Sequence, residues 1–378
     1  MTLASDLAVL QPNFQSQSFR SKGRKDNLKA QTGAGLFSRL FDGAHLNARS
    51  NPKRLSEDLL MKAIWLDDQP RLRSDLPMPA PAAGEALVKV RLAGVCSTDL
   101  ALLDGYYPFT GVLGHEFVGE ITGAPTAPER VGERVVGSIN ISCGHCRECL
   151  ACRPNHCLNR EVLGIKHHDG AFAEYLCLPL DNLHRVPDGV PDPAAVFAEP
   201  LAAALEIPEL VPIKPSDRVL LVGAGRLGQL IARVLALTGA ELDVVARHAH
   251  QRQRLQGIGA RCIEEQEVAD GHYDLVVEAS GAPGGFALAR QALRPRGTLC
   301  LKSTYRGEVP VALSTLVVDE IRIIGSRCGP FPAALRLLEQ QRVDPTPLVD
   351  CVEPLANGVV ALRRAAEQSV LKALIDCS

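Results

Sequence analysis

One stretch narrows the possible folds more than any other: DRVLLVGAGRLGQLIARVLALTG, residues 217–239. It opens as an unbroken apolar run of strand length and turns on glycines. It then continues with apolar residues three and four apart, as an amphipathic helix does. G-x-G-x-x-G is a weak signal alone, but between a strand and a helix it is a dinucleotide fingerprint. Gly223 permits the tight turn, Gly225 lets backbone approach a pyrophosphate, and Gly228 allows close helix–strand packing. With Arg226 and Leu227 these are the expected cofactor-binding residues, the helix N-terminus facing the phosphates. The text that follows keeps alternating: strand ELDVVA, helix HQRQRLQGIGA, strand YDLVVEAS, helix GGFALARQAL, strand GTLCLKS. Such alternation predicts a parallel sheet with right-handed crossovers.

Cofactor choice is usually made about twenty residues past the glycines, where an acid holds the ribose hydroxyls of NAD. Here Ala246, Arg247 and His248 stand there, with Arg252 beyond. Loss of the acid removes repulsion against a 2′-phosphate, and Arg247 is able to pair with it, which favours NADP. The competing reading has Arg247 in solvent while NAD binds without its anchor.

Ahead of this region the chain reads differently. EALVKVRLAGVC, EFVGEITG and ERVVGSI are short β-rich runs between Gly and Pro punctuation. After about Gly325 come CVEPLANGVVALRRAAE and a last strand, LKALIDC. The expected organisation is α/β: a β-rich domain over 61–192, an inserted doubly wound parallel-sheet domain over 193–325, and a return over 326–378. Residues 1–60 are rich in Ser, Asn, Gln and basic residues and lack apolar periodicity. They read as a disordered extension or as text ahead of a natural start at Met61. Their basic, Ser-containing character also allows organelle targeting, against an otherwise cytoplasmic expectation.

CGHCRECLACRPNHC, residues 143–157, places five of the chain's twelve cysteines in fifteen positions. A secreted disulfide scaffold is short and cysteine-dense throughout, so this local cluster points to metal binding in a reducing compartment. Cys143, Cys146, Cys149 and Cys157 are enough thiolates to close a tetrahedral zinc shell, which leaves no place for substrate. That site is structural, and Cys152 is a spare sulfur. An iron–sulfur cluster is the alternative for such ligands. A second group is mixed: Cys96 in GVCSTD, His115 in VLGHEFVG and Glu199 in AEPLAAAL. One thiol, one imidazole and one carboxylate from separate segments leave a fourth position open, the pattern of a catalytic zinc.

GVCSTD, GHEFVGE, the four-cysteine lobe, DGAFAEYLCLP, EPLAAAL and GAGRLG follow one another in an order that resembles the zinc-dependent medium-chain dehydrogenases. The resemblance runs from about Met61 to the end. It implies a GroES-like catalytic domain, a Rossmann domain, and an active site in the cleft between them. By position it implies zinc at Cys96, His115 and Glu199, with Glu116 either a ligand or just behind the metal. Thr98 matches the hydroxyl that bonds the substrate oxygen, and Asp99 a carboxylate that orients the ligand histidine. The sequence departs from the pattern twice. Ala101 stands where a relay histidine is common, and Glu206 where many polyol enzymes carry histidine. Tyr106, Tyr107 and Phe109 either wall the substrate pocket or pack their loop.

The expected activity is reversible oxidation of a secondary alcohol, polyol or amino alcohol with hydride transfer to NAD(P), using two zinc ions per chain. A dimer or tetramer follows from the resemblance alone. The competing reading is an inactive NAD(P)-binding member of the scaffold, with one zinc. A net charge of −2 and 4% aromatic residues give no basis for a nucleic-acid partner. No apolar stretch reaches the length of a membrane span.

Overall fold

The structure, a computed structural model, describes residues 60–304 and 308–378. The segment 1–60, expected to stand apart from the fold, lies outside them except for Leu60.

Two large sheets organise the described residues. The first is antiparallel around the strand Glu85–Gly94, which pairs with Glu116–Gly123, Tyr175–Pro179 and Lys372–Asp376. Its further strands are Arg134–Gly137, Leu183–Arg185 and Val349–Pro354. The C-terminal strand therefore lies beside one formed almost three hundred residues earlier. Three ends of this sheet converge. Gly94 pairs with Glu116 and Leu374 pairs with Gly94, so Cys96, His115 and Lys372 all emerge at the same edge.

The second sheet holds six parallel strands. In space they run Arg261–Ile263, Glu241–Val245, Arg218–Val222, Tyr273–Glu278, Leu293–Leu301 and Arg322–Gly325. Counted along the chain this order is 3-2-1-4-5-6, the doubly wound arrangement whose ligand crevice lies where the order reverses. The apolar runs follow from burial on both faces. Val219, Leu221, Val244 and Val277 enter a core that also takes residues of the first sheet. Leu220, Val222, Val245 and Val276 enter a second core on the opposite face. Each such side chain contributes roughly 1.5–3 kcal/mol by leaving water.

The helix Arg226–Ala236 buries Leu230, Ile231, Val234 and Leu235 on one stripe, as its spacing requires. The expected helix HQRQRLQGIGA is shorter, Ala249–Arg254. Gly257 and Gly259 adopt φ of +79° and +85°, a left-handed backbone that stops it. Among the described residues no helix is long and apolar enough to cross a membrane.

Candidate active site and metal centres

The four cysteines of the lobe come together. Their sulfurs all lie within 4.8 Å of one another. Cys146–Cys149 and Cys143–Cys157 are 3.5 Å apart, and Cys146–Cys157 3.9 Å. A disulfide needs about 2.05 Å, and all twelve cysteines are free. A tetrahedral shell with ~2.3 Å metal–sulfur bonds has edges of ~3.8 Å, so the spacing fits zinc. Backbone N–H groups are aimed at the sulfurs. Chiefly through the N–H of His145, the Cys143 thiol is pulled down to about 6, and Asn159 Nδ2 lies 3.7 Å from its sulfur. Cys152 is exposed and outside the group.

The second cluster gathers Cys96, His115 and Glu116, again with ligand atoms within 4.8 Å. Glu199 is not within that distance of all three, although it lines the same cavity. Cys96 caps the helix Ser97–Leu103, and its N–H donates to Asp99 Oδ2 at 2.8 Å. Asp99 is wholly buried, and its Oδ1 lies 3.2 Å from His115 Nδ1. That contact is close but misaligned, so neither atom has a hydrogen-bond partner. Thr98 Oγ1 is 3.8 Å from Cys96 Sγ. Burial opposes a charge on His115, but Asp99 and then Cys96 override it and hold the ion-free imidazole well above its usual range. Burial likewise pushes the Glu199 carboxyl up to about 7, with His115 opposing and Glu116 adding. A metal ion would relieve this crowding of buried acid, thiol and imidazole.

Sequence reasoning missed Lys372. Its ammonium contacts Glu116 Oε2 in a buried ion pair and lies 5.1 Å from the Phe197 ring. The residues are 256 positions apart, and only the convergence of strand ends joins them. The one available signal was a lysine flanked by apolar residues in VLKALIDC.

The glycine turn behaves as its motif requires. Gly223 has φ +107°, and a Cβ there would meet Ser280 Cα at 2.7 Å. A Cβ on Gly228 would stand 2.1 Å from the Gly223 carbonyl oxygen, whereas Gly225 faces open space in the cavity. That opening is the room a pyrophosphate needs. Arg226 turns away from the helix and donates to Ser97 Oγ at 3.2 Å and to the Ala365 carbonyl, tying the turn to the loop of Cys96. Leu227 also lines the cavity. Arg247 is exposed and pairs with Glu265 at 2.9 Å. Tyr106 and Tyr107 line the cavity, while Phe109 packs on the core of the first sheet.

Both the mixed donor cluster and Gly225 therefore open into one cavity of about 720 Å³. The model of the alcohol dehydrogenase GroES-like domain matches residues 82–188. The starvation-sensing protein RspB of Escherichia coli K12 is 40% identical over 272 residues, 70% of this chain and 76% of that protein. A sorbitol dehydrogenase of Halalkalibacterium halodurans is 31% identical over 295 residues, 72% and 86% of the two chains. The chain belongs to the zinc-dependent medium-chain dehydrogenase family. As a member it is an NAD(P)-linked oxidoreductase acting on an alcohol, with a GroES-like part and a Rossmann sheet. A zinc-binding dehydrogenase of Sinorhizobium meliloti 1021, solved with NADP, superposes with a TM-score of 0.78. It is 28% identical, over 84% of this chain and 99% of that one.

Proposed function

We propose that the cavity is the active site of a reversible alcohol dehydrogenase with two zinc ions per chain. The observation that carries this is the shared opening: metal donors and the dinucleotide turn face one space. In this reading residues 61–192 and 326–378 form the catalytic domain and 193–325 the nucleotide domain. Cys143, Cys146, Cys149 and Cys157 hold a structural zinc. Cys96, His115 and Glu199 hold the catalytic one. Glu116, engaged by Lys372, is the carboxylate held in reserve behind it.

A zinc ion at that site supplies electrostatic stabilisation of a developing alkoxide, and NAD(P) the hydride acceptor. The protein's own groups do the rest. Thr98 Oγ1 accepts a hydrogen bond from the substrate hydroxyl and orients it. The Asp99 carboxylate, 3.2 Å from Nδ1 of His115, attracts that side of the ring by charge, which leaves Nε2 for the metal. Lys372 neutralises Glu116, so the pocket floor does not repel an alkoxide. Gly225 and the N-terminus of the helix Arg226–Ala236 seat the pyrophosphate.

NADP is the preferred cofactor in this reading because no acid follows the strand Glu241–Val245, while Arg247 does. Glu265 competes for Arg247, so the preference is moderate. The chain works as a homodimer or homotetramer in the cytoplasm. Support for assembly comes from the edge of the parallel sheet, where Leu313, Val317 and Val318 are 69%, 76% and 80% exposed. A screen at 340 nm with both cofactors against secondary alcohols and polyols tests the activity. Turnover with zinc present and none after its removal is expected. Equal turnover by zinc-free protein contradicts the proposal.

A further inference from the structure

The cavity carries more positive charge than the chemistry so far assigns to it. Its lining includes six cationic side chains, Arg160, Lys166, Arg226, Lys302, Arg327 and Lys372, against two carboxylates, Glu116 and Glu199. Three of the six are committed. Lys372 is paired with Glu116. Lys302 spends its three donors on the carbonyls of Ala203 and Arg327, 2.7 Å each, and on Ser326 Oγ at 3.1 Å. Arg226 has both terminal nitrogens bound, to Ser97 and Ala365, and only its buried Nε lacks a partner.

The other three keep donors in hand. Arg160 Nη1 donates to the Asn155 carbonyl at 2.9 Å, and its buried Nε has no partner. Arg327 reaches the same carbonyl at 3.5 Å and Asn140 Oδ1 at 3.2 Å. Lys166 makes no side-chain hydrogen bond, and none of the three forms an ion pair among the described residues. Shared anchoring on Asn155 holds two guanidinium forks side by side. Burial and then the neighbouring Arg327 lower the Arg160 guanidinium from its usual value, which is what like charges show when no acid separates them. Asn140, Asn155 and Arg160 belong to segments around the cysteine lobe, not to the glycine turn that seats the pyrophosphate.

We infer that Arg160, Lys166 and Arg327 form an anion subsite, so the alcohol oxidised here carries a carboxylate or a phosphate ester. Guanidinium forks match both groups bidentately. This rests on the reading of the cavity as the dehydrogenase active site, and it narrows the substrate to an acidic hydroxyl compound.

A matched set tests it: sorbitol, gluconate and sorbitol 6-phosphate, with the cofactor-saturated zinc enzyme. Each is followed by turnover at 340 nm and by calorimetric binding. One or both anions are expected to bind about tenfold or more tightly than sorbitol, and whichever does so identifies the group. Arg160→Leu and, separately, Lys166→Met should remove that advantage while changing sorbitol binding and zinc content less than about twofold. Binding of all three with equal strength overturns the inference. So does a variant that weakens the cofactor but keeps the anion preference, because the cations then serve the dinucleotide. If nothing turns over, the dehydrogenase reading fails, while the binding comparison still decides the subsite.

Discussion

The two donor clusters are built on opposite logics. In the lobe, four like sulfurs come from one fifteen-residue segment, and local backbone N–H groups orient them. At the sheet edge, a thiol, an imidazole and carboxylates come from separate segments and are held by buried partners, Asp99 and Lys372. A shell of four protein ligands is closed to substrate; three ligands leave one place open. In the proposed reading the closed site braces and the open one reacts, and the mixed cluster needs tertiary support because unlike donors and buried charges do not stay together by local geometry.

The comparison is broken most severely if the two clusters respond alike to mutation. Cys96→Ser should lower kcat/KM by about a thousandfold or more, the scale of several kcal/mol of lost charge stabilisation, with cofactor binding intact. Cys149→Ser should instead lower Tm by on the order of 10 °C and leave turnover per folded molecule within about tenfold. Steady-state kinetics alongside thermal melts separate the two. Next in size is Lys372→Met, which leaves Glu116 buried and unpaired. A loss of about 3–5 kcal/mol is expected in denaturant titrations, and adding Glu116→Gln should recover part of it.

How far each site was legible follows from the same contrast. The cysteine lobe and the glycine turn are written in consecutive residues, so spacing alone revealed that four sulfurs gather and that backbone packs tightly at Gly223 and Gly228. The parallel sheet was legible because strands buried on both faces read as apolar runs. The open site was only half legible. Cys96, His115 and Asp99 sit in short recognisable segments, but Lys372 joins Glu116 through strand pairing that no local pattern encodes. Nor did the sequence show that Arg226 reaches Ser97, or that Arg160 and Arg327 share the Asn155 carbonyl. Those contacts exist only once separate loops are folded against each other. The extent of HQRQRLQGIGA was overread because two glycines free to turn left-handed outweigh its helical spacing.

A smaller effect sharpens the contrast through pH. In metal-stripped protein the Glu199 carboxyl lies above its unfolded value, at about 7. Its protonated form is the one burial favours, so its contribution is complete below about pH 4.5 and is lost as pH rises through about 7. Stability of the zinc-free protein should fall by up to a few kcal/mol across that window, and Glu199→Gln should flatten the slope. Smallest of all, Glu265→Gln should free Arg247 and improve NADP over NAD by a few-fold, about 1 kcal/mol for one exposed pair, read from the ratio of the two KM values.

The proposed open metal site at Cys96 and His115 is separate from the closed one. Metal analysis of purified protein measures this directly. Two zinc ions per chain are predicted in the wild type. Cys96→Ser should retain one, Cys149→Ser should retain one, and the double variant none. A single zinc in the wild type that survives Cys96→Ser unchanged would contradict the account.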